Sequence, residues 1–186
     1  DAVKLQTYTA DSLTLNVDNE EFGPRTEGLW KGRRPYDVFA EGALPYEWHE
    51  ELFSLAKDLG LECFSSPFDV PAVDFLESLG NPIYKIASFE IKHIPLIEKI
   101  STTGKPVIIS TGIAMLEDIE RAISYFDKGQ VTLLKCTSAY PTPYREVNLN
   151  MMCSLKEIFG VEVGLSDHTL GSAVPIAAVA LGAQVI

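Results

Sequence analysis

The chain has 186 residues, of which 46% are apolar and 22% charged, a balance that suits one globular domain with a sizeable core. Its net charge of -11 excludes nucleic acid as the main partner, because a phosphate backbone needs a basic surface. A small anionic substrate stays open to it, since a few buried lysines make a local positive pocket inside an acidic molecule.

Cys63, Cys136 and Cys153 are scattered without CxxC spacing, so reduced thiols and a cytoplasmic location are expected. No signal peptide is visible. The longest small-apolar stretch, 173–186, contains Pro175, Gly182 and Gln184. It falls short of the roughly 20 residues that span a bilayer, so no membrane partner is expected. The chain begins with Asp1 rather than Met and stops at Ile186 inside an apolar run. It reads like part of something longer.

Seven strand candidates follow one another: AVKLQT (2–7), LECFSS (61–66), IYKIAS (83–88), PVIIST (106–111), VTLLKCT (131–137), VEVGLS (161–166) and AQVI (183–186). Between the first two, residues 8–46 break the rhythm with the polar stretch EEFGPRTEGLWKGRRP, read as a lid or excursion. The acidic NEEF and basic KGRR runs read as solvated loop faces, and His49 in EWHEE as a solvated residue at a helix start. DVPAVDFLESLG opens on Asp69 as N-cap and closes on Gly80 as C-cap. PLIEKISTTG and SLKEIFG also end on Gly. His93 reads as a residue that caps or packs at a helix start. In LEDIERAISYF, Leu116, Ile119, Ile123 and Phe126 form one apolar stripe. SAVPIAAVALG has the composition of a well-packed helix. YPTPY (140–144) cannot be helical, because its prolines fix an extended path.

Continuous apolar strands separated by helices predict a parallel sheet of the α/β class. Polar residues close almost every strand, and no Gly-rich dinucleotide loop follows the first. That favours a (β/α)8 TIM barrel over a doubly wound sheet. A complete barrel takes about 250 residues, so this one is expected to be incomplete, lacking strand one and the end of the barrel.

In such a barrel the C-terminal strand ends carry the chemistry. Along that edge lie Lys4, Gln6 and Thr7; Ser65 and Ser66; Lys85, Ser88 and Glu90; Ser110 and Thr111; Thr137, Ser138 and Tyr140; and Ser166, Asp167 and His168. Hydroxyls near helix N-termini suit phosphate or carboxylate. Lys4 and Lys85 interrupt apolar strands, and a buried ammonium is costly unless an internal acid or an anionic ligand compensates it. Lys135 is a third such lysine, with simple pairing as its alternative reading. His168 beside Asp167 reads as a metal ligand or a general acid/base.

KLQT, FSSPFD, YKIASFE, KPVIISTG, CTSAYPTP and GLSDHT stand in order along the whole chain. Together they resemble the phosphoenolpyruvate-dependent sialic acid synthase family. KIASFE and LPYEWHEELFSLAKDLG look closer to its bacterial pseudaminic acid branch. N-acetylneuraminate synthases usually have a GSGE-like stretch where this chain has Ala87-Ser88-Phe89-Glu90.

The resemblance implies condensation of phosphoenolpyruvate with an N-acetylated amino-sugar aldehyde to a nine-carbon acid, releasing phosphate. It implies a divalent metal, typically Mn2+, with Mg2+ or Co2+ as alternatives. Lys4, Ser66, Lys85, Ser88, Ser110 and Ser166 would hold phosphoenolpyruvate. Gln6 joins the substrate-binding set, and Ser138 falls where relatives often have Asn. Tyr140 would line the sugar site. Lys85 and Glu90 are the catalytic candidates, Glu90 for sugar hydroxyl binding or proton transfer, and His168 is the metal ligand. The family also has a strand-one Glu and an Asn-His motif that would precede Asp1. A second metal histidine and a small C-terminal antifreeze-like domain, reaching across a homodimer, would follow Ile186. Residues 1–186 are therefore expected to form a partial barrel domain without activity of its own. The alternatives are an N-acetylneuraminate synthase using N-acetylmannosamine, or a non-catalytic sugar- or anion-binding barrel.

Overall fold

The computed structural model describes residues 1–186 and divides them into two compact units, Asp1–Asn81 and Pro82–Ile186. In the first, strand β1 (Ala2–Thr7) pairs in parallel with β2 (Glu62–Pro67). The register sets Lys4 against Phe64 and Gln6 against Ser66. Paired residues point to the same face and successive residues to opposite faces. Lys4, Gln6 and Ser66 therefore share one face, while Thr7 and Ser65 lie on the other.

Helices α1 (Ala10–Leu13), α2 (Pro35–Gly42) and α3 (His49–Asp58) link the two strands, and α4 (Val70–Ser78) follows β2. The excursion over 8–46 is thus not a plain loop. Pro35, in the first turn of α2, starts a helix without leaving an unmet N–H. The Arg34 guanidinium clamps both carboxylate oxygens of Asp37 at 2.9 and 2.7 Å. Asp69 caps α4 by accepting from Ala72 N–H at 2.8 Å, and Gly80 takes φ +73° just beyond its end. Ala72, Val73 and Leu76 bury the inner stripe of α4 completely.

The second unit orders β3 (Tyr84–Ile86), β4 (Val107–Ser110), β5 (Val131–Cys136) and β6 (Glu162–Ser166) side by side, each pair parallel. The connections are α5 (Ile94–Ser101), α6 (Leu116–Ile123) and α7 (Asn150–Phe159), and α8 (Ala173–Ala180) follows β6. Every residue of β3 and β4 is buried, as parallel strands covered on both faces require. Ile86, Leu96, Ile97, Ile100, Ile109, Leu133 and Met152 form the fully buried centre. This is the α/β architecture expected, with the βα repeat of the (β/α)8 barrel class.

Three expectations need correction. The seventh strand, 183–186, does not form as a regular strand. Gln184 N–H donates to Val163 C=O at 2.8 Å and Leu165 N–H to Val185 C=O at 2.9 Å, so the segment only touches the edge of β6. α8 buries Val174 and Ala178 but exposes Ile176 (66%) and Val179 (58%). The stripe of α6 buries Ile119, while Leu116 at its start is half exposed.

Candidate functional site

Strand register decides which polar groups of the second unit meet. Lys85 pairs with Ile108, Ser110 with Leu134, Leu134 with Gly164 and Cys136 with Ser166. By strand alternation Lys85, Ser110, Cys136 and Ser166 present one face. Across it the Lys85 ammonium donates to Ser110 Oγ at 2.6 Å and to Ile86 C=O at 3.0 Å. Only 7% of Lys85 is exposed.

The chain continues this row beyond the strand ends. After β3 a short 3-10 turn (Ser88–Lys92) carries Ser88 and Glu90. Ser88 Oγ accepts from Ile113 N–H at 3.0 Å and from Ser138 O–H at 3.2 Å, tying the loops after β3, β4 and β5 together. Gly112 makes this approach feasible. A Cβ there would collide with Ser138 Oγ and lie 2.8 Å from Ser88 Oγ and 3.0 Å from Cys136 Sγ.

Glu90 Oε2 is buried without a hydrogen-bond partner. Burial raises the carboxyl's pKa; its own backbone N–H and the charge of Lys85 pull it back down less strongly. A carboxyl poised towards its neutral form beside a lysine is suited to moving a proton.

His168 sits half-buried just beyond β6. Its Nδ1 lies 3.1 Å from Thr137 C=O, and a carbonyl only accepts, so Nδ1 carries the proton. In the neutral ring Nε2 is then the lone-pair nitrogen, the arrangement that orients a metal-binding imidazole. The Tyr140 ring lies 4.2 Å from the imidazole, centroid to centroid. Asp167 Oδ1 accepts from Thr169 N–H at 3.0 Å and Thr169 O–H at 2.8 Å, which shapes the loop. The chain gathers no cluster of three or more His, Cys, Asp or Glu side chains able to hold a metal. His168 fits as one ligand.

The first unit presents Lys4, Gln6 and Ser66 on one face of β1 and β2. Ser66 Oγ is buried and has no hydrogen-bond partner. Lys4 is exposed, unlike the buried lysine expected, although partial desolvation still lowers its pKa.

Several edge residues have other work. Lys135 points to the face opposite Lys85, where its ammonium is held by Cys136 C=O at 3.1 Å and by Thr137 Oγ1. Its pairing is internal, and desolvation lowers its pKa. It opens on a cavity of about 350 Å³ between α6 and α7, lined also by Met115, Leu116 and Met151. The Thr111 hydroxyl donates to Leu134 C=O at 3.0 Å. His93 is exposed and caps nothing with its side chain. His49, expected in solvent, is fully buried. Its ring nitrogens meet Thr7 Oγ1 at 2.8 Å and Pro45 C=O at 3.1 Å, and Thr7 Oγ1 lies 2.6 Å from Ser65 Oγ. Thr7 and Ser65 are thus turned away from the face of Gln6 and Ser66. Gly112 is a further residue of this region, signalled in the sequence only by a glycine just after a strand that ends in hydroxyls.

Comparison with known proteins adds to this geometry. The profile of the NeuB family matches residues 1–186. Pseudaminic acid synthases of Helicobacter pylori and Campylobacter jejuni are 49% and 47% identical over the whole chain. The chain spans 55% of the length of each. Among solved structures, the N-acetylneuraminic acid synthetase of Leptospira borgpetersenii, in complex with citrate, superposes on all of this chain and 60% of its own, with a TM-score of 0.84 and 32% identity.

Proposed function

Since the chain belongs to the NeuB family, we propose that the whole protein is a pseudaminic acid synthase. It condenses phosphoenolpyruvate with a 6-deoxy-diacetamido-altrose aldehyde, gives a nine-carbon 2-keto acid and releases phosphate. The observation that carries this reading is the 49% identity to a pseudaminic acid synthase across all of residues 1–186. The Lys85–Ser110 pair beside the buried Glu90 carboxyl supplies matching chemistry.

Lys85, Ser110, Ser88, Ser138 and Ser166 of the second unit hold the phosphate and carboxylate of phosphoenolpyruvate. The first unit contributes Lys4, Gln6 and Ser66 to substrate binding. Fixed donors of this kind orient the trianion so that its C3 faces the aldehyde carbon. The new bond forms between those carbons, and the carbonyl electron pair passes to oxygen, which takes a proton. Positive charge at C2 is quenched by water, and the resulting hemiketal phosphate expels phosphate by C–O cleavage. Glu90 carries a proton in this sequence, because burial raises its carboxyl pKa and so favours the protonated form more than in an exposed carboxyl. Tyr140 lines the sugar site. His168 Nε2 holds a divalent cation, most suitably manganese, which when bound polarises the aldehyde.

In this reading the enzyme acts in the cytoplasm as a homodimer, and further chain supplies the remaining metal ligand and an antifreeze-like domain. A second reading, N-acetylneuraminate synthase, draws on the structural likeness to the Leptospira enzyme.

The test uses the full-length protein with Mn2+ and phosphoenolpyruvate, offered either the diacetamido-trideoxy-altrose or N-acetylmannosamine. Phosphate release with the first sugar is expected. Release with N-acetylmannosamine alone transfers the assignment to the second reading, and release with neither removes both.

A further inference from the structure

A histidine without any solvent exposure at the start of a helix flanked by Glu50 and Glu51 calls for a reason. His49 is enclosed by aromatic rings, with Phe75 5.2 Å away edge-on and Tyr46 at 5.6 Å. An apolar side chain would fill that space without polar atoms to satisfy. The imidazole instead has both nitrogens engaged, and the partners fix its direction. Pro45 C=O only accepts, so Nδ1 donates to it. In the neutral ring Nε2 then accepts from the Thr7 hydroxyl, and Thr7 Oγ1 accepts from the Ser65 hydroxyl. Ser65 N–H in turn donates to Asn81 Oδ1 at 3.0 Å. A single hydrogen-bonded line runs from the helix entrance through the last residue of β1 into β2.

We propose that His49 is a positioning residue. From the helix side of β1 and β2 it locks Thr7 and Ser65, and so fixes the adjacent Gln6 and Ser66 on the opposite face. Three facts combine here. Gln6 and Ser66 are register partners. Each is bonded in sequence to a member of the His49 line. Ser66 is 1% exposed, and its buried Oγ has no hydrogen-bond partner, as a hydroxyl kept for a ligand would be. The proposal rests on the reading that Ser66 binds phosphoenolpyruvate.

The experiment uses the full-length protein and three variants, Thr7→Val, His49→Phe and His49→Gln. Val keeps the shape of Thr7 and deletes its hydroxyl. Phe keeps the ring and deletes both nitrogens. Gln restores an acceptor. KM for phosphoenolpyruvate is expected to rise about tenfold in Thr7→Val and His49→Phe, with kcat and the sugar KM within about twofold, and Gln is expected to recover most of the loss. If His49→Phe does not fold, Thr7→Val decides. An unchanged KM for phosphoenolpyruvate in folded Thr7→Val, or a fall in kcat with KM held, overturns the proposal. A second readout needs no activity. 15N NMR of unliganded protein should show His49 with bare Nε2 and protonated Nδ1, and the Nε2 resonance should move in Thr7→Val. Protonated Nε2, or no movement, also overturns it. Failure of the wild type to consume phosphoenolpyruvate would instead remove the functional reading, and the spectra would still judge the His49 line.

Discussion

Lys85 reaches from β3 to Ser110 at the end of β4, with 2.6 Å between Nζ and Oγ. The two residues are twenty-five positions apart, and only parallel pairing of β3 with β4 sets them on one face. The pairing buries the Lys85 ammonium on the face that also carries Ser166, where a fixed positive charge is suited to an anionic substrate.

Replacing Lys85 by Met should therefore cut kcat/KM of the full-length enzyme for phosphoenolpyruvate by on the order of 10²–10³-fold, the usual loss when a preorganised charge-stabilising donor is removed. Ser110→Ala should cost about tenfold. Steady-state phosphate release checks both. Circular dichroism that shows each variant folded ties the loss to the site.

Glu90 makes stability fall with rising pH. Its folded-state pKa lies above the unfolded value because burial disfavours the carboxylate. The folded state then holds more protons between the two values, so this contribution is full at low pH. It is lost progressively as pH rises from the ordinary carboxyl range through the raised folded value. Glu90→Gln removes the titration. The melting temperature of the variant should gain on the wild type across that window and run parallel above it, while activity drops. Parallel melting curves throughout would refute the burial argument.

Gly112 is the point where three side chains converge. An added methyl group would meet Ser138 Oγ, Ser88 Oγ and Cys136 Sγ together. Gly112→Ala should destabilise by about 1–3 kcal/mol, the range for overpacking. It should also raise KM for phosphoenolpyruvate more than KM for the sugar, since it displaces Ser88 and Ser138. Denaturant unfolding and kinetics on the same sample separate the two effects.

Asp69 offers a control away from the chemistry. Its carboxylate caps α4 through Ala72 N–H. Asp69→Ala should lower stability by about 1 kcal/mol, measured by urea denaturation, with kcat unchanged.

Local order was legible in the sequence because it depends on near neighbours. Alternation of apolar runs with capped helical patterns located β1 to β6 and the caps at Asp69 and Gly80, and six ordered motifs pointed to the family. The tertiary structure alone decided which way each polar group faces. Lys85 and Lys135 look alike in sequence, each an ammonium inside an apolar strand. Strand pairing sends one to the face shared by Ser110 and Ser166 and the other to the helix side. His49 looked solvated because its sequence neighbours are acids. Its burial arises from Thr7, Ser65 and Phe75, residues distant along the chain, and no local pattern encodes contacts made by register and packing.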